Sequence, residues 1–465
     1  MFMAGLSAVF MAGLSAWRIQ QKRSHHFQNM SNKNTTYANA LSRLYGLQKF
    51  GIKLGLSKTC SLLKDLGNPH TDQKYIHIGG SNGKGSVAAL IASILKQAGL
   101  KVGLYSSPHL VRFSERFKIN DEEISTEDVI SLIEEIFDVI SPDEPPTFFE
   151  VTTAMALTYF QRQKTDISVI EVGMGGRLDA TNIINPLVSI ITNISLEHQA
   201  FLGPRLLDIA GEKAGIIKPR IDVVSGATQT GVNRLFESIC NKKGSPFWRL
   251  GKQIRYRTVA NGFDYSGLVN HLKGLKISLN GKFQARNCSL AIAATELLEA
   301  KGFRISREDI LNGVSNTVWP GRMQVAARNP MIIIDGAHNP AGIRAMADSV
   351  RAGYDYKHLI LVMGIMEDKA IGQILRGIVP YANHVIFTRP DYSRAARPED
   401  LMEQASVYHK PTETSPALPH ALKRAIEIAN PEDLIIVCGS LFTAGEALNY
   451  FDPEKYMKDD FLLTN

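Results

Sequence analysis

Lys74-Tyr75-Ile76-His77-Ile78, then Gly79-Gly80-Ser81-Asn82-Gly83-Lys84-Gly85-Ser86, is the stretch that decides how this chain folds. The first five residues predict a strand. The glycines predict a loop, and the apolar-rich run Ser86–Ala98 predicts a helix. Phosphate binding needs this strand–loop–helix context. Glycines let backbone N–H groups approach phosphate oxygens, and a helix N-terminus adds partial positive charge. Lys84 supplies a point charge for β- and γ-phosphates, and Ser86 a hydroxyl near Mg²⁺. The strict pattern is not met: Ile78 stands where the first glycine should be, and Gly85 separates Lys84 from Ser86. The bland alternative is a glycine turn that binds nothing. A lysine at the loop end and a helix start argue against it.

Working outward, Leu100–Tyr105, Ile167–Val172, Leu187–Ile194 and Ile221–Val224 are Val/Ile-rich runs between helical patterns. Unbroken apolar strands separated by helices predict a mainly parallel sheet covered on both faces. A second series follows: Met331–Ile334 stopping at Asp335, a helix from about Ala341 to Arg351, then Leu359–Met363, His384–Thr388 and Asp433–Val437. This predicts a Rossmann-like α/β unit. Trp319-Pro320-Gly321 would break any element, so the expected domains are 30–318 and 322–465. Residues 248–281 read as a hairpin-rich insert.

The chain has 465 residues, 44% hydrophobic and 21% charged, which suits two or three globular domains and excludes wholesale disorder. Its charge of +7 comes without a dense Lys/Arg run interleaved with aromatics, so small polyanions fit better than a nucleic-acid groove. Cys60, Cys240, Cys288 and Cys438 are scattered and read as reduced thiols. Residues 1–29 carry the heptapeptide FMAGLSA twice (Phe2–Ala8 and Phe10–Ala16), three cations and no acid. They read as a leader or as a start placed before a true one at Met30, and as disordered in either case. No other stretch resembles a membrane span.

The loop variant with its extra glycine resembles the Mur ligase superfamily, and the folylpolyglutamate synthase/dihydrofolate synthase branch in particular. Further motifs carry the resemblance in order: Tyr105-Ser-Ser-Pro-His-Leu110 with Arg112, Glu115 and Arg116; Phe148-Phe149-Glu150; Glu171-Val-Gly-Met-Gly-Gly-Arg-Leu-Asp-Ala-Thr-Asn182; Leu196-Glu-His198; Glu212-Lys-Ala-Gly-Ile-Ile217; Pro320-Gly-Arg322; Asp335-Gly-Ala-His-Asn-Pro340; Met363-Gly-Ile-Met-Glu-Asp-Lys369; and Cys438-Gly-Ser440. The fold implied is a phosphate-loop-type Mur ligase central domain on a mainly parallel sheet, followed by a Rossmann-like glutamate ligase domain. The activity implied is an ATP- and Mg²⁺-dependent carbon–nitrogen ligase that joins L-glutamate to dihydropteroate and to reduced folates.

The resemblance also implies roles. Asn82, Gly83, Lys84, Gly85 and Ser86 would hold ATP phosphates, with Asn287, Arg322 and Asp335 as further nucleotide contacts. Ser107, Glu171 and His198 look like the magnesium-linked residues, of two ions. Lys213 matches a lysine that family members carbamylate. Ile52, Lys53, Leu54, Thr147, Phe148, Phe149, Glu150, Leu178, Asp179 and Ala180 fall where the pterin-bearing substrate binds. His338 is assigned to the ATP phosphates or the glutamate. Catalysis is thus expected at Lys84, Lys213 and His338. Glu197 departs from an aspartate common at its position, Ser81 from a threonine, and Leu441-Phe442 from some members.

Chemistry supports part of this. A carboxylate must be activated before an amine attacks it in water, and acyl-phosphate formation brings two anions together. Mg²⁺ and Lys84 must then neutralise charge. Glu171 at a strand end is well placed, whereas His198 is an uncommon Mg²⁺ ligand type. Asp335 reads equally as a helix cap or a ribose contact, and Phe148-Phe149 equally as core or as a pterin platform. The competing functions are folylpolyglutamate synthase alone, a peptidoglycan-type ligase (for whose extra N-terminal domain the residues before the loop leave no room), and an ATP binder that does not ligate. A cytoplasmic monomer is expected, with no nucleic-acid or membrane partner for the folded body.

Overall fold

The computed structural model describes residues 36–459 except 52, 54 and 142. The expected leader and two expected substrate residues, Ile52 and Leu54, lie outside the described residues. Among those described, no helix is long and apolar enough to cross a membrane.

The opening strand is β1 (Tyr75–Gly79), buried along its whole length. The strands β2 (Val102–Tyr105), β3 (Phe117–Ile119), β4 (Glu122–Glu123), β5 (Ile167–Glu171), β6 (Val188–Ile191), β7 (Asp222–Ser225) and β8 (Phe247–Arg249) join it in the order β4-β3-β2-β5-β1-β6-β7-β8. From β2 to β8 all pairs are parallel; β3 and β4 add an antiparallel edge. In register, Ile78 lies opposite Glu171 and Gly79 opposite Ile191. The glycine loop, Glu171 and the turn after β6 therefore leave the sheet at one carboxyl edge, where open α/β sheets bind ligands.

β6 ends earlier than its apolar run predicts. Thr192 Oγ1 and Asn193 Nδ2 donate to the Asn82 carbonyl at 2.7 and 3.0 Å, and Asn82 N–H donates to Asn193 Oδ1 at 2.9 Å. Side-chain bonds to the loop add there to the backbone bonds from Thr192 N–H to Gly79 and from Ser81 N–H to Asn193.

The helix after the loop, Lys84–Gln97, is apolar on nearly every side because it is covered by Gln284–Glu299 and Arg307–Asn316 as well as by the sheet. The last of these helices approaches so closely that a Cβ on Gly313 would lie 2.5 Å from Ile94 Cα. The predicted insert is a three-stranded antiparallel sheet, β9 (Arg255–Val259), β10 (Gly262–Ser266) and β11 (His271–Leu275). Glu296 ties it down, accepting from Tyr265 O–H at 2.9 Å and from Leu268 and Asn270 N–H at 2.8 Å.

The C-terminal unit holds β12 (Gln324–Arg328), β13 (Met331–Ile334), β14 (Leu359–Met363), β15 (His384–Phe387), β16 (Thr412–Thr414) and β17 (Leu434–Cys438), in the order β12-β13-β17-β14-β15-β16. Only β12 is antiparallel. The units interlock: Val111, from the loop after β2, is buried against Ile334, Ile360 and Val437. Asp459 accepts from Phe113 N–H at 2.8 Å, and Arg112 donates to the Lys455 carbonyl at 2.9 Å.

Gly313→Ala has no room at this helix crossing. It is expected to cost about 1–3 kcal/mol in urea unfolding; an unchanged midpoint would show that the two helices part freely.

Candidate functional site

The loop closes on itself through glycines. Gly83 caps the helix in a left-handed conformation at φ 83°, and a Cβ there would meet Asn287 Oδ1 at 2.6 Å. The extra Gly85 has a different cause: a Cβ would strike the Trp319 ring at 2.9 Å. Residue 85 is thus fixed by packing against the segment that joins the two units. No described residue accepts from the N–H groups of Lys84, Gly85 or Ser86, as expected of a first helical turn that presents donors to an anion.

These residues line a cavity of about 590 Å³ that both units wall. From the first come Asn82, Gly83, Lys84, Gly85, Ser86, Ser107, Glu171, His198, Lys213 and Asn287; from the second, Arg322, Asp335 and His338. Every expected nucleotide, metal and catalytic position therefore faces one space. The cavity also takes in Asn193, Ser195, Glu197 and Arg286. Asn339 Nδ2 donates to Asn82 Oδ1 at 2.7 Å, so the second unit touches the loop directly.

Glu171 is buried at the end of β5, with a single long bond from Ser107 N–H at 3.4 Å. Burial pushes its carboxyl up, and Lys84 and Arg322 pull it back. Among the described residues no three His, Cys, Asp or Glu side chains are grouped so as to hold a metal ion by themselves. One carboxylate beside a phosphate loop is the donor set that Mg²⁺ uses with waters and phosphates.

Lys213 is buried, and its Nζ lies 2.7 Å from Glu197 Oε1 and donates to the Gly80 carbonyl at 3.0 Å. Burial pushes the Glu197 carboxyl up, but Lys213 and then Lys84 overcome this and hold it at about 2. Burial also loosens the proton on Lys213, with Glu197 opposing. Glu197 was a mere departure from pattern in the sequence; here it is the counter-ion of the buried lysine. The Gly173–Gly176 run explains how Lys213 arrives. A Cβ on Gly176 would meet the carbonyl oxygens of Glu212 and Lys213 at 2.9 and 3.0 Å, so glycine lets the end of helix Leu206–Lys213 dock on this loop.

His338 Nδ1 faces the Gly336 carbonyl at 2.9 Å, which accepts only if Nδ1 carries the proton. Burial lowers its pKa to about 4, so the ring is neutral, with Nε2 left as an acceptor. His198 sits in a left-handed conformation at φ 44° and is also held below the usual range by burial. Asp335 accepts from Met323 and Ala337 N–H, both at 2.8 Å. It does not cap the following helix; Asn339 does.

The expected pterin residues stand apart. Lys53, Thr147, Phe148, Phe149, Glu150, Leu178, Asp179 and Ala180 do not line this cavity. Thr147 and Glu150 form a capping box that starts helix Phe148–Arg162, with Thr147 N–H to Glu150 Oε2 at 2.7 Å. Asp179 takes N–H bonds from Met174 and Thr181 at 2.9 and 3.0 Å. The Phe149 ring crowds Gly173, where a Cβ would be 2.4 Å away, and Gly173 itself lines the cavity. This segment thus adjoins the cavity through a shared glycine. The Leu178 carbonyl accepts from Gly55 N–H at 3.4 Å.

Residues 78–295 match the Mur ligase middle domain family, and residues 321–441 the Mur ligase glutamate ligase domain family. The chain is 30% identical over 429 residues to the dihydrofolate synthase/folylpolyglutamate synthase of Bacillus subtilis, covering 88% of this chain and 97% of that one. It is 34% identical over 428 residues to a probable bifunctional folylpolyglutamate synthase/dihydropteroate synthase of Haloferax volcanii, spanning 88% of this chain but only 50% of that protein. Among solved structures it resembles E. coli FolC in complex with DHPP and ADP, with TM-score 0.82, 30% identity and coverage of 90% and 98% of the two chains. It likewise resembles the Mycobacterium tuberculosis folylpolyglutamate synthase complexed with ADP, with TM-score 0.83, 30% identity and coverage of 89% and 99%.

Glu197→Gln strands a buried ammonium and is expected to cost about 3–5 kcal/mol at pH 7. Because the pair depresses the Glu197 pKa, its contribution is full above the ordinary glutamate range and is lost as pH falls toward about 2. The gap between wild type and variant in urea titrations should therefore narrow in acid. A neutral His338 predicts no activity limb of its own near the ordinary histidine pKa of about 6.5. A limb there that His338→Gln removes would contradict the burial argument.

Proposed function

The chain belongs to the folylpolyglutamate synthase/dihydrofolate synthase family of Mur ligases, and from that premise we propose that it is an ATP-dependent ligase adding L-glutamate both to dihydropteroate and to reduced folates. The observation that carries this reading is the convergence, in one cavity, of the glycine loop and Lys84 from one unit with Arg322 and His338 from the other. An ATP binder that only switches needs no second unit on its phosphates.

The chemistry proceeds in two displacements. The acceptor's carboxylate oxygen attacks the γ-phosphorus, the bond to ADP breaks, and an acyl phosphate forms. The glutamate nitrogen then attacks the acyl carbon, phosphate leaves, and the nitrogen sheds a proton. Lys84 and the free N–H groups of the helix start neutralise the phosphates. Glu171 and Ser107, with His198, are the residues that would hold magnesium, whose charge would offset that of two adjoining anions. His338 Nε2, neutral and unprotonated, suits acceptance of the amine proton. Closure of both units over the cavity would keep water from the acyl phosphate.

Carbamylation of Lys213 belongs to the same proposal. Burial favours the neutral amine that carbamylation requires, while the ion pair with Glu197 opposes it. Bicarbonate-dependent appearance of a carbamate carbon signal, absent in Lys213→Ala, tests it. Operation as a cytoplasmic monomer is likewise proposed.

Purified protein begun at Met30, given ATP, Mg²⁺ and glutamate, is expected to release phosphate with dihydropteroate and with tetrahydrofolate. Each product should gain one glutamate by mass. A gain with tetrahydrofolate alone would leave a folylpolyglutamate synthase, and no gain with either would sink the ligase reading. Lys84→Ala should lower kcat by roughly 100-fold or more, the scale of losing a charge stabiliser of the transition state.

A further inference from the structure

Arg116 carries a charge that the protein does not answer. It ends the short turn Phe113–Arg116, directly before β3, and is only 6% exposed. Its Nε–H donates to His109 Nδ1 at 2.9 Å. No carboxylate of a described residue pairs with it, although buried guanidinium groups ordinarily have one. The acids nearby are committed elsewhere. Glu115 takes the N–H groups of Leu110, Val111 and Arg112, Glu150 closes its capping box, and Asp179 holds Met174 and Thr181. The terminal guanidinium nitrogens bond no described residue, yet they are not sealed from solvent.

Its position is as telling as its lack of a partner. The guanidinium carbon lies 5.2 Å from the Phe148 ring centroid and 5.9 Å from that of Phe113, and Phe148 in turn meets Tyr45 at 5.1 Å. Its charge also acts on Glu171, which lines the cavity. Arg116 therefore stands where an aromatic cluster meets the phosphate site, with two forked donors free.

We infer that Arg116 receives the carboxylate of the pterin-bearing acceptor and holds it at this border, in reach of the γ-phosphate. The inference rests on the ligase reading above. A planar fork suits a carboxylate bidentately, and the Phe113 and Phe148 rings lie against the guanidinium. Fixing the attacking oxygen is what an in-line displacement needs most. Lys84 could not do the same work, since in that reading it serves the phosphates.

The test is a chemical double-mutant cycle in the full protein. Binding of dihydropteroate and of its decarboxylated analogue is measured by fluorescence titration for wild type, Arg116→Gln and Arg116→Lys. Wild type is expected to prefer the carboxylate form by about 10- to 100-fold, the scale of a charge-assisted bond. Arg116→Gln should lose that preference and Arg116→Lys keep part of it, with acceptor KM rising and ATP KM unchanged in turnover. Wild type binding both compounds equally would overturn the assignment without any variant having to fold, and so would an undiminished preference in Arg116→Gln. Wild type that binds neither compound and ligates neither acceptor would overturn the ligase reading itself, and this assignment with it.

Discussion

Everything near the cavity depends on how closely backbone can approach backbone around the loop after β1. Three glycines there are hemmed in by Thr192, Asn287 and Trp319, each from a different element. A methyl group at any of them would push away β6, the helix Gln284–Glu299 or the link to the second unit. The loop is thus the point where the sheet, its covering helices and the C-terminal unit are gauged against one another. Gly85 shows the economy of this: the residue that spoils the familiar spacing between lysine and serine is the one that admits the Trp319 ring.

The same closeness governs the electrostatics. Lys213 and Glu197 are both taken out of water, which is unfavourable for each alone and tolerable only because they meet and a Gly80 carbonyl completes the lysine's bonds. The carbonyl belongs to the phosphate loop, so an ion pair in the wall of the cavity is mechanically joined to that loop. Glu171 lies in the opposite condition. It is also buried but forms no ion pair with a described residue, only the long bond from Ser107 N–H, and three cations act on it from a distance. A site in which one acid is satisfied and another left wanting is prepared for a cation that arrives with its substrate.

Much of this was legible in the chain. The strand–loop–helix at Lys74–Ala98, the Glu171–Asn182 run and the second α/β series stand where the residues predict them, because apolar period and glycine placement are local properties. Element ends were less legible. β6 stops early because Asn193 turns to the loop, and Phe148-Phe149 begins a helix because Glu150 closes on Thr147 three residues back. The antiparallel additions β3, β4 and β12 carried no usable signal, being short or only partly buried. Glu197 and Arg116 were visible as letters in motifs, but nothing in a linear string tells which buried charge has found a partner.

The sequence by itself determined the class of fold, the order of its units and the kind of chemistry, since these follow from hydrophobic period, turn residues and motifs whose parts lie close along the chain. Only the tertiary structure decided which of those parts share a space. The cavity draws on residues from Ser81 to Leu441, and the segment expected to bind the pterin adjoins it through Gly173 rather than lining it. Burial and partnership are sums over the whole packed molecule, and no stretch of sequence holds the terms of that sum.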